Sequence, residues 1–265
     1  MLNTSLIALI IGLVYSIALP LGLMLWWKKK TGEKLWCFVA GALCFLLFAM
    51  GLEQILHSVC LVGENPVSAF LTASPVAYTL YAALAAGLFE ETGRLFGFKV
   101  LLKQQREKAC PVAYGIGHGG IEVFLVLGVT YLMVLLAKAG VSLGDAETTA
   151  TMAQAADSIL PGTACIAMFE RLSALMAHIG LSMLVFLAAR QKGKGWLYPV
   201  AILLHALLDT SAALYQFGVI RSLWIVEGSA FVLGLAYLLL GSRLLRGYSG
   251  EPEPAREADA SAVPE

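Results

Sequence analysis

Two glutamates stand side by side in this sequence, Glu90 and Glu91, and Arg94 follows them. Downstream come His118 and Glu122, then Glu170, Arg171 and His178, then His205 and Asp209. On a helix, Glu90 and Arg94, His118 and Glu122, and His205 and Asp209 are each one turn apart, so each pair shares a face. A guanidinium placed there holds one carboxylate and leaves the other free. A carboxylate one turn from an imidazole fixes its tautomer and raises its basicity. Such a set suits amide hydrolysis, with a carboxylate activating water and histidines stabilising an oxyanion. It also suits zinc held by His118, His178 and His205, or a path for protons or cations through a transporter. Spacing alone does not separate a protease from a transporter. The helical HExxH motif, the Gly-x-Gly-Asp pair and the Gly-x-Ser-x-Gly elbow are all absent.

The elements that carry these residues are apolar. Hydrophobic residues make up 59% of the 265 and charged residues 14%, with a mean hydropathy of +0.79. A soluble chain carries roughly 25% charged residues, so this one has too little charge to coat a water-facing surface. Basic and acidic residues balance at 18 each, and no global charge calls for nucleic acid. Five cysteines without a CxxC spacing read as small apolar residues in helices. The expectation is an all-α, polytopic bundle spanning a bilayer. A span needs about 20 mostly apolar residues, which places seven near 4–27, 35–57, 76–102, 110–136, 161–189, 196–217 and 222–242. The stretch from Ser68 to Leu102 is too long for one span and reads as a short outer segment broken around Pro75, then a tilted helix. Residues 1–246 form the membrane domain, with the site helices within 76–217, and the acidic tail 247–265 is expected to be disordered. Fourteen Lys and Arg lie on one side of these spans against Lys138 and Arg221 on the other. That puts the amino terminus outside and the carboxyl terminus in the cytoplasm.

Depth then sorts the buried charges. Ionisable groups at mid-bilayer cost at least about 2.5–3.5 kcal/mol each. Glu90, Glu91, His118, His178 and His205 all fall very roughly 12–18 Å below the cytoplasmic surface, on four separate helices. Random pairing between helices would scatter their depths; a shared level argues for a site. Gly115, Gly117, Gly119 and Gly120 around His118 permit either close helix packing or an opened helix that admits water. Glu53 with His57, and Glu227, lie nearer the outer ends of their spans and read as interfacial or structural.

Glu90-Glu91-Thr-Gly-Arg94 resembles the EExxR-type first motif of the CAAX-protease and bacteriocin-processing superfamily of intramembrane proteases. With Gly117-His118-Gly-Gly-Ile-Glu122, Glu170-Arg171…His178 and His205-Ala-Leu-Leu-Asp209, it is similar to the YhfC family of that superfamily, and PrsW carries a similar paired-glutamate motif. Arg94 comes three residues after Glu91, one fewer than in the CAAX endoprotease pattern, and His118 followed by Glu122 departs from that branch's FxxxH. A prenylated substrate is therefore not expected. His178 and His205 also resemble the histidine pair of the non-catalytic Aph subunit of gamma-secretase.

The resemblance implies a glutamate-dependent intramembrane endopeptidase, often described as a metalloprotease, in a bacterial cell membrane. It implies membrane-protein or peptide substrates. One of Glu90 or Glu91 would be the base. His118, His178 and His205 with Asp209 would stabilise the transition state or, on the metal reading, ligate. Arg94 would orient the acids, and Glu122, Glu170 and Arg171 would support them. Arg94 works against a divalent cation at the same spot, so a metal-free site is preferred here and zinc is the alternative. The rival functions are a non-catalytic scaffold like the Aph subunit and a proton- or cation-coupled transporter.

Overall fold

The computed structural model describes residues 4–250, and among these every regular element is a helix and there is no strand. Helix α1 is Thr4–Thr31 and α2 is Leu35–Val62, the latter with wide π-helical turns at Phe48–Glu53 and Ser58–Val62. Then come α3, Pro66–Ala73, and α4, Pro75–Leu101. Helix α5 is Ala109–Lys138, α6 is Ala146–Ser158, α7 is Pro161–Arg190, α8 is Leu197–Gln216 and α9 is Leu223–Arg246. Six of these, α1, α2, α5, α7, α8 and α9, are long and apolar enough to cross a membrane, and the bent pair α3–α4 makes up to seven. Helix α4 does not qualify unaided, because it carries Glu90, Glu91 and Arg94.

Local chemistry fixes the break before the site helix. Asn65 caps α3, its Oδ1 accepting from the backbone N–H groups of Val67 and Ser68 at 2.9 and 3.0 Å. Ser74 caps α4 by accepting from Ala77 N–H, with Pro75 at the first helical position where its missing N–H costs nothing. Pro75 also keeps Ser74 out of helical geometry, and α4 leaves α3 at 107°. The expected break at Pro75 is there.

Helix α7 is the hub: 72% of its apolar window is buried, against 22% for α1 and α9. Helices α5 and α9 lie along it, α8 packs on α4, and α2 packs on α5. Small residues let the backbones close. A side chain at Gly117 on α5 would collide with the Phe38 carbonyl of α2. Gly180 of α7 likewise abuts Tyr237 of α9. The glycines around His118 therefore serve packing, and α5 stays helical through them. Lipid-facing side chains such as Val14, Leu25, Leu203 and Trp224 cover the outside.

Two departures from the sequence reading concern the ends. Helix α6 occupies the connection between the spans expected at 110–136 and 161–189, where no element was expected, capped by Asp145 and pinned by Lys138 Nζ to Asp157 Oδ2 at 2.6 Å. At the other end, Tyr248 is buried and packs edge-on against Phe186, so the packed chain runs past the expected boundary at Arg246. The rest of the expected tail, 251–265, lies outside the described residues.

Candidate functional site

Helices α4, α5, α7 and α8 bring the expected residues to one place. Glu90 is at its centre. Its Oε2 meets His118 Nε2 at 2.9 Å and lies 3.7 Å from His178 Nδ1, while its Oε1 lies 3.8 Å from His205 Nε2. One nitrogen from each of three imidazoles thus faces one carboxylate. Two of the three far nitrogens are held in turn. His205 Nδ1 bonds Glu91 Oε1 at 2.6 Å, and His178 Nε2 pairs with Glu122. His118 Nδ1 is buried without a partner.

The paired acids have separate surroundings. Glu91 is fully buried, its Oε1 shared between Arg94 and His205 and its Oε2 unpartnered. Arg94 is equally sealed: besides Glu91 it reaches His178 Nδ1 at 2.5 Å, Ser182 Oγ at 3.3 Å and Glu90 Oε2 at 3.5 Å. Glu90 instead faces a cavity of about 210 Å³ on the side of the bundle where α7 and α9 begin. His178, His205 and Asp209 share that wall, and Asp209 Oδ2 lies 3.5 Å from His205 Nε2. Arg171 bonds Glu122 at 2.6 Å and Glu170 Oε2 through its Nε at 2.8 Å, closing one flank.

Two participants were not expected. Glu227 of α9, read as standing apart, lines this same cavity and is buried with its Oε2 unpartnered. Its sequence signal was an acid in the outer half of a span, like Asp209 and Glu170, but the side it faces depends on how α9 rolls against α7. Ser182 was legible in principle, since it is one turn beyond His178 on the same face. Glu53 and His57 do stand apart from the cavity wall; they bond each other at 3.1 Å, and His57 Nδ1 meets Tyr81 Oη at 2.9 Å.

The donor set fits a zinc-type ion. Glu90, His118 and His178 each offer one atom, all within 4.8 Å of one another. Bonds of 2.0–2.1 Å in a tetrahedron separate neighbouring donors by about 3.3 Å, and the Glu90 to His118 and Glu90 to His178 separations of 2.9 and 3.7 Å bracket that value. Glu122 behind His178 is the carboxylate that commonly orients a ligating imidazole. Arg94 competes for the same His178 nitrogen. His205 belongs to no such group among the described residues, in contrast to the three-histidine set that the sequence suggests.

Comparison with known proteins agrees with this architecture. A family model described as YhfC intramembrane metalloprotease matches residues 15–230. The uncharacterized membrane protein YhfC of Bacillus subtilis (strain 168) is 33% identical over 219 residues, covering 79% of this chain and 84% of that protein. No solved structure matches the chain. The chain belongs to the YhfC family and is an integral, multi-pass membrane protein.

Proposed function

We propose that this YhfC-family chain is an intramembrane endopeptidase in which Glu90 is the base that activates water. The observation that carries the reading is that Glu90 lines the cavity amid three imidazoles, whereas Glu91 is sealed between Arg94 and His205. A base must reach the water whose proton it takes. Glu91 does not border the cavity; its part is positioning, through His205 Nδ1.

The steps follow from the atoms at hand. A peptide enters the cavity, and Glu90 Oε1, on the His205 side, takes a proton from water as the new C–O bond forms. His205 donates from Nε2 to the developing oxyanion, its Nδ1 tethered to Glu91 and Asp209 balancing its charge. The C–N bond then breaks, and the proton on Glu90 passes to the departing amine. His118 steadies Glu90 from behind at 2.9 Å. Glu90 Oε2, His118 and His178 would hold a zinc-type ion, which when bound supplies a lowered water pKa and polarisation of the carbonyl.

The test is cleavage of a fluorogenic transmembrane or juxtamembrane peptide by purified protein. Glu90→Gln should abolish turnover to background, a loss of at least about 10²-fold. His205→Ala should fall nearly as far. Wild-type rates from Glu90→Gln would overturn the assignment.

A further inference from the structure

The cavity carries more acid than its chemistry uses. Glu90, Glu122, Glu170, Asp209 and Glu227 all lie on its wall, against one guanidinium, that of Arg171. Arg171 is committed to Glu122 and Glu170. Asp209 keeps only a 3.5 Å approach to His205. Glu227 is 5% exposed, its Oε2 without any hydrogen-bond partner, and it borders the cavity beside Ser211, whose hydroxyl meets Ser229 Oγ at 2.9 Å. An unpartnered buried carboxylate is costly, and a complementary cation relieves that cost.

We infer that Glu227, with Asp209, forms a subsite for a basic side chain, lysine or arginine, of the peptide that is cut. This rests on the endopeptidase reading above. A metal ion is the poorer occupant, because among the described residues the three-donor group is Glu90, His118 and His178, and Glu227 converges with no such group. A cation on a flexible stem needs no such convergence; it donates a charge-assisted hydrogen bond to the unpartnered Glu227 Oε2, with Asp209 adding its charge nearby.

The geometry also sets where that residue lies in the substrate. At 1.5 Å per residue, His205 is about 16 Å from the Gln216 end of α8, and Glu227 is about 6 Å from the Leu223 start of α9. These ends adjoin through a short turn, so the subsite is about 10 Å beyond the reacting level, towards the side where α9 begins. An extended peptide covers about 3.3 Å per residue, which places the basic residue about three positions from the bond that is cut.

The experiment separates binding from chemistry. Acetylated, dye-labelled transmembrane peptides carrying lysine, arginine, norleucine or glutamate at that position are titrated against Glu90→Gln protein in nanodiscs, with fluorescence anisotropy as the readout. Lysine and arginine peptides should bind at least about tenfold tighter than norleucine, and glutamate weaker. Adding Glu227→Gln should bring the lysine-to-norleucine ratio to within about twofold of one, whereas Glu227→Asp, which keeps the charge, should retain most of the preference and guards against a folding defect. Equal affinities for lysine and norleucine, or a preference that survives Glu227→Gln, would overturn the subsite. Failure of the endopeptidase reading shows separately, as absence of cleavage of every peptide by the wild-type protein.

Discussion

Removing Arg94 isolates the most buried charge in the bundle. Arg94→Met keeps the length and apolar stem of the side chain but strips Glu91 of its guanidinium, leaving a fully buried carboxylate whose Oε1 retains only His205 and whose Oε2 has no partner. Breaking a buried pair from one side typically costs about 3–5 kcal/mol. Glu91→Gln breaks it from the other side and should cost a similar amount, since Arg94 would then keep only Glu90 at 3.5 Å as an anionic partner. Combining the two removes the isolated charge along with its cause. The double variant should therefore cost about as much as Arg94→Met alone, a coupling of at least about 2 kcal/mol. The assay is the unfolding free energy of all four proteins in bicelles by steric trapping, which reads kcal/mol without a thermal extrapolation. Costs that simply add, to within about 0.5 kcal/mol, would refute the claim that the pair stabilises the site as a unit.

Further expectations concern packing, pH and metal. Gly117→Ala drives a Cβ into the Phe38 carbonyl and should cost about 1–3 kcal/mol, while Gly22→Ala, with nothing within 4 Å, should be neutral or slightly stabilising in the same steric-trapping assay. The Asp145 carboxyl is held below its ordinary value by the Thr148 N–H and hydroxyl. Its contribution to α6 is therefore present above about pH 3.9 and is lost as pH falls through the lowered value; hydrogen exchange across 146–158 should show this protection in the wild type, and seeing it equally in Asp145→Ala would count against the cap. The three-donor group shifts the preference from the metal-free site expected from the sequence to zinc, so elemental analysis of protein purified without a metal-affinity resin should find about one zinc per chain, depleted in Glu90→Gln and His118→Ala. Retention of zinc by both variants would move the ion elsewhere.

Much of the site was legible because burying charge in an apolar chain is expensive enough to be informative. Glu90, Glu91, His118, His178 and His205 could be grouped from depth, with Arg94 added by helical spacing, and the Ser74-Pro75 break follows from capping and proline sterics. Which glutamate faces the cavity was not legible. Adjacent helical residues point about 100° apart, and only the packing of α4 against α7 and α8 decides that Glu91 meets His205 Nδ1 behind the wall while Glu90 lines the cavity. Glu227 escaped for a related reason: its depth is readable, but its side follows from how Gly234 and Gly241 seat α9 on α7. Helix α6 was missed because Ala and Thr give it no apolar stripe, although the Asp145 cap was present as a start signal.

The weak hydropathy of α4 has a consequence for how the protein is made. Three charges near its middle, at about 2.5–3.5 kcal/mol each on insertion scales, weigh against its leaving the translocon for lipid alone. Arg94 offsets one of the two acids within α4 itself, but the other groups that bond these three side chains sit on helices synthesised later: His118 on α5, His178 and Ser182 on α7, His205 on α8. Helix α4 must therefore wait, held at the insertion machinery or against α2, until at least α7 has emerged. A nascent chain cut short before Pro161 would present Glu90, Glu91 and Arg94 to the membrane quality-control proteases without their partners on α7 and α8, so assembly of the polar cluster and retention of the chain in the bilayer become one event.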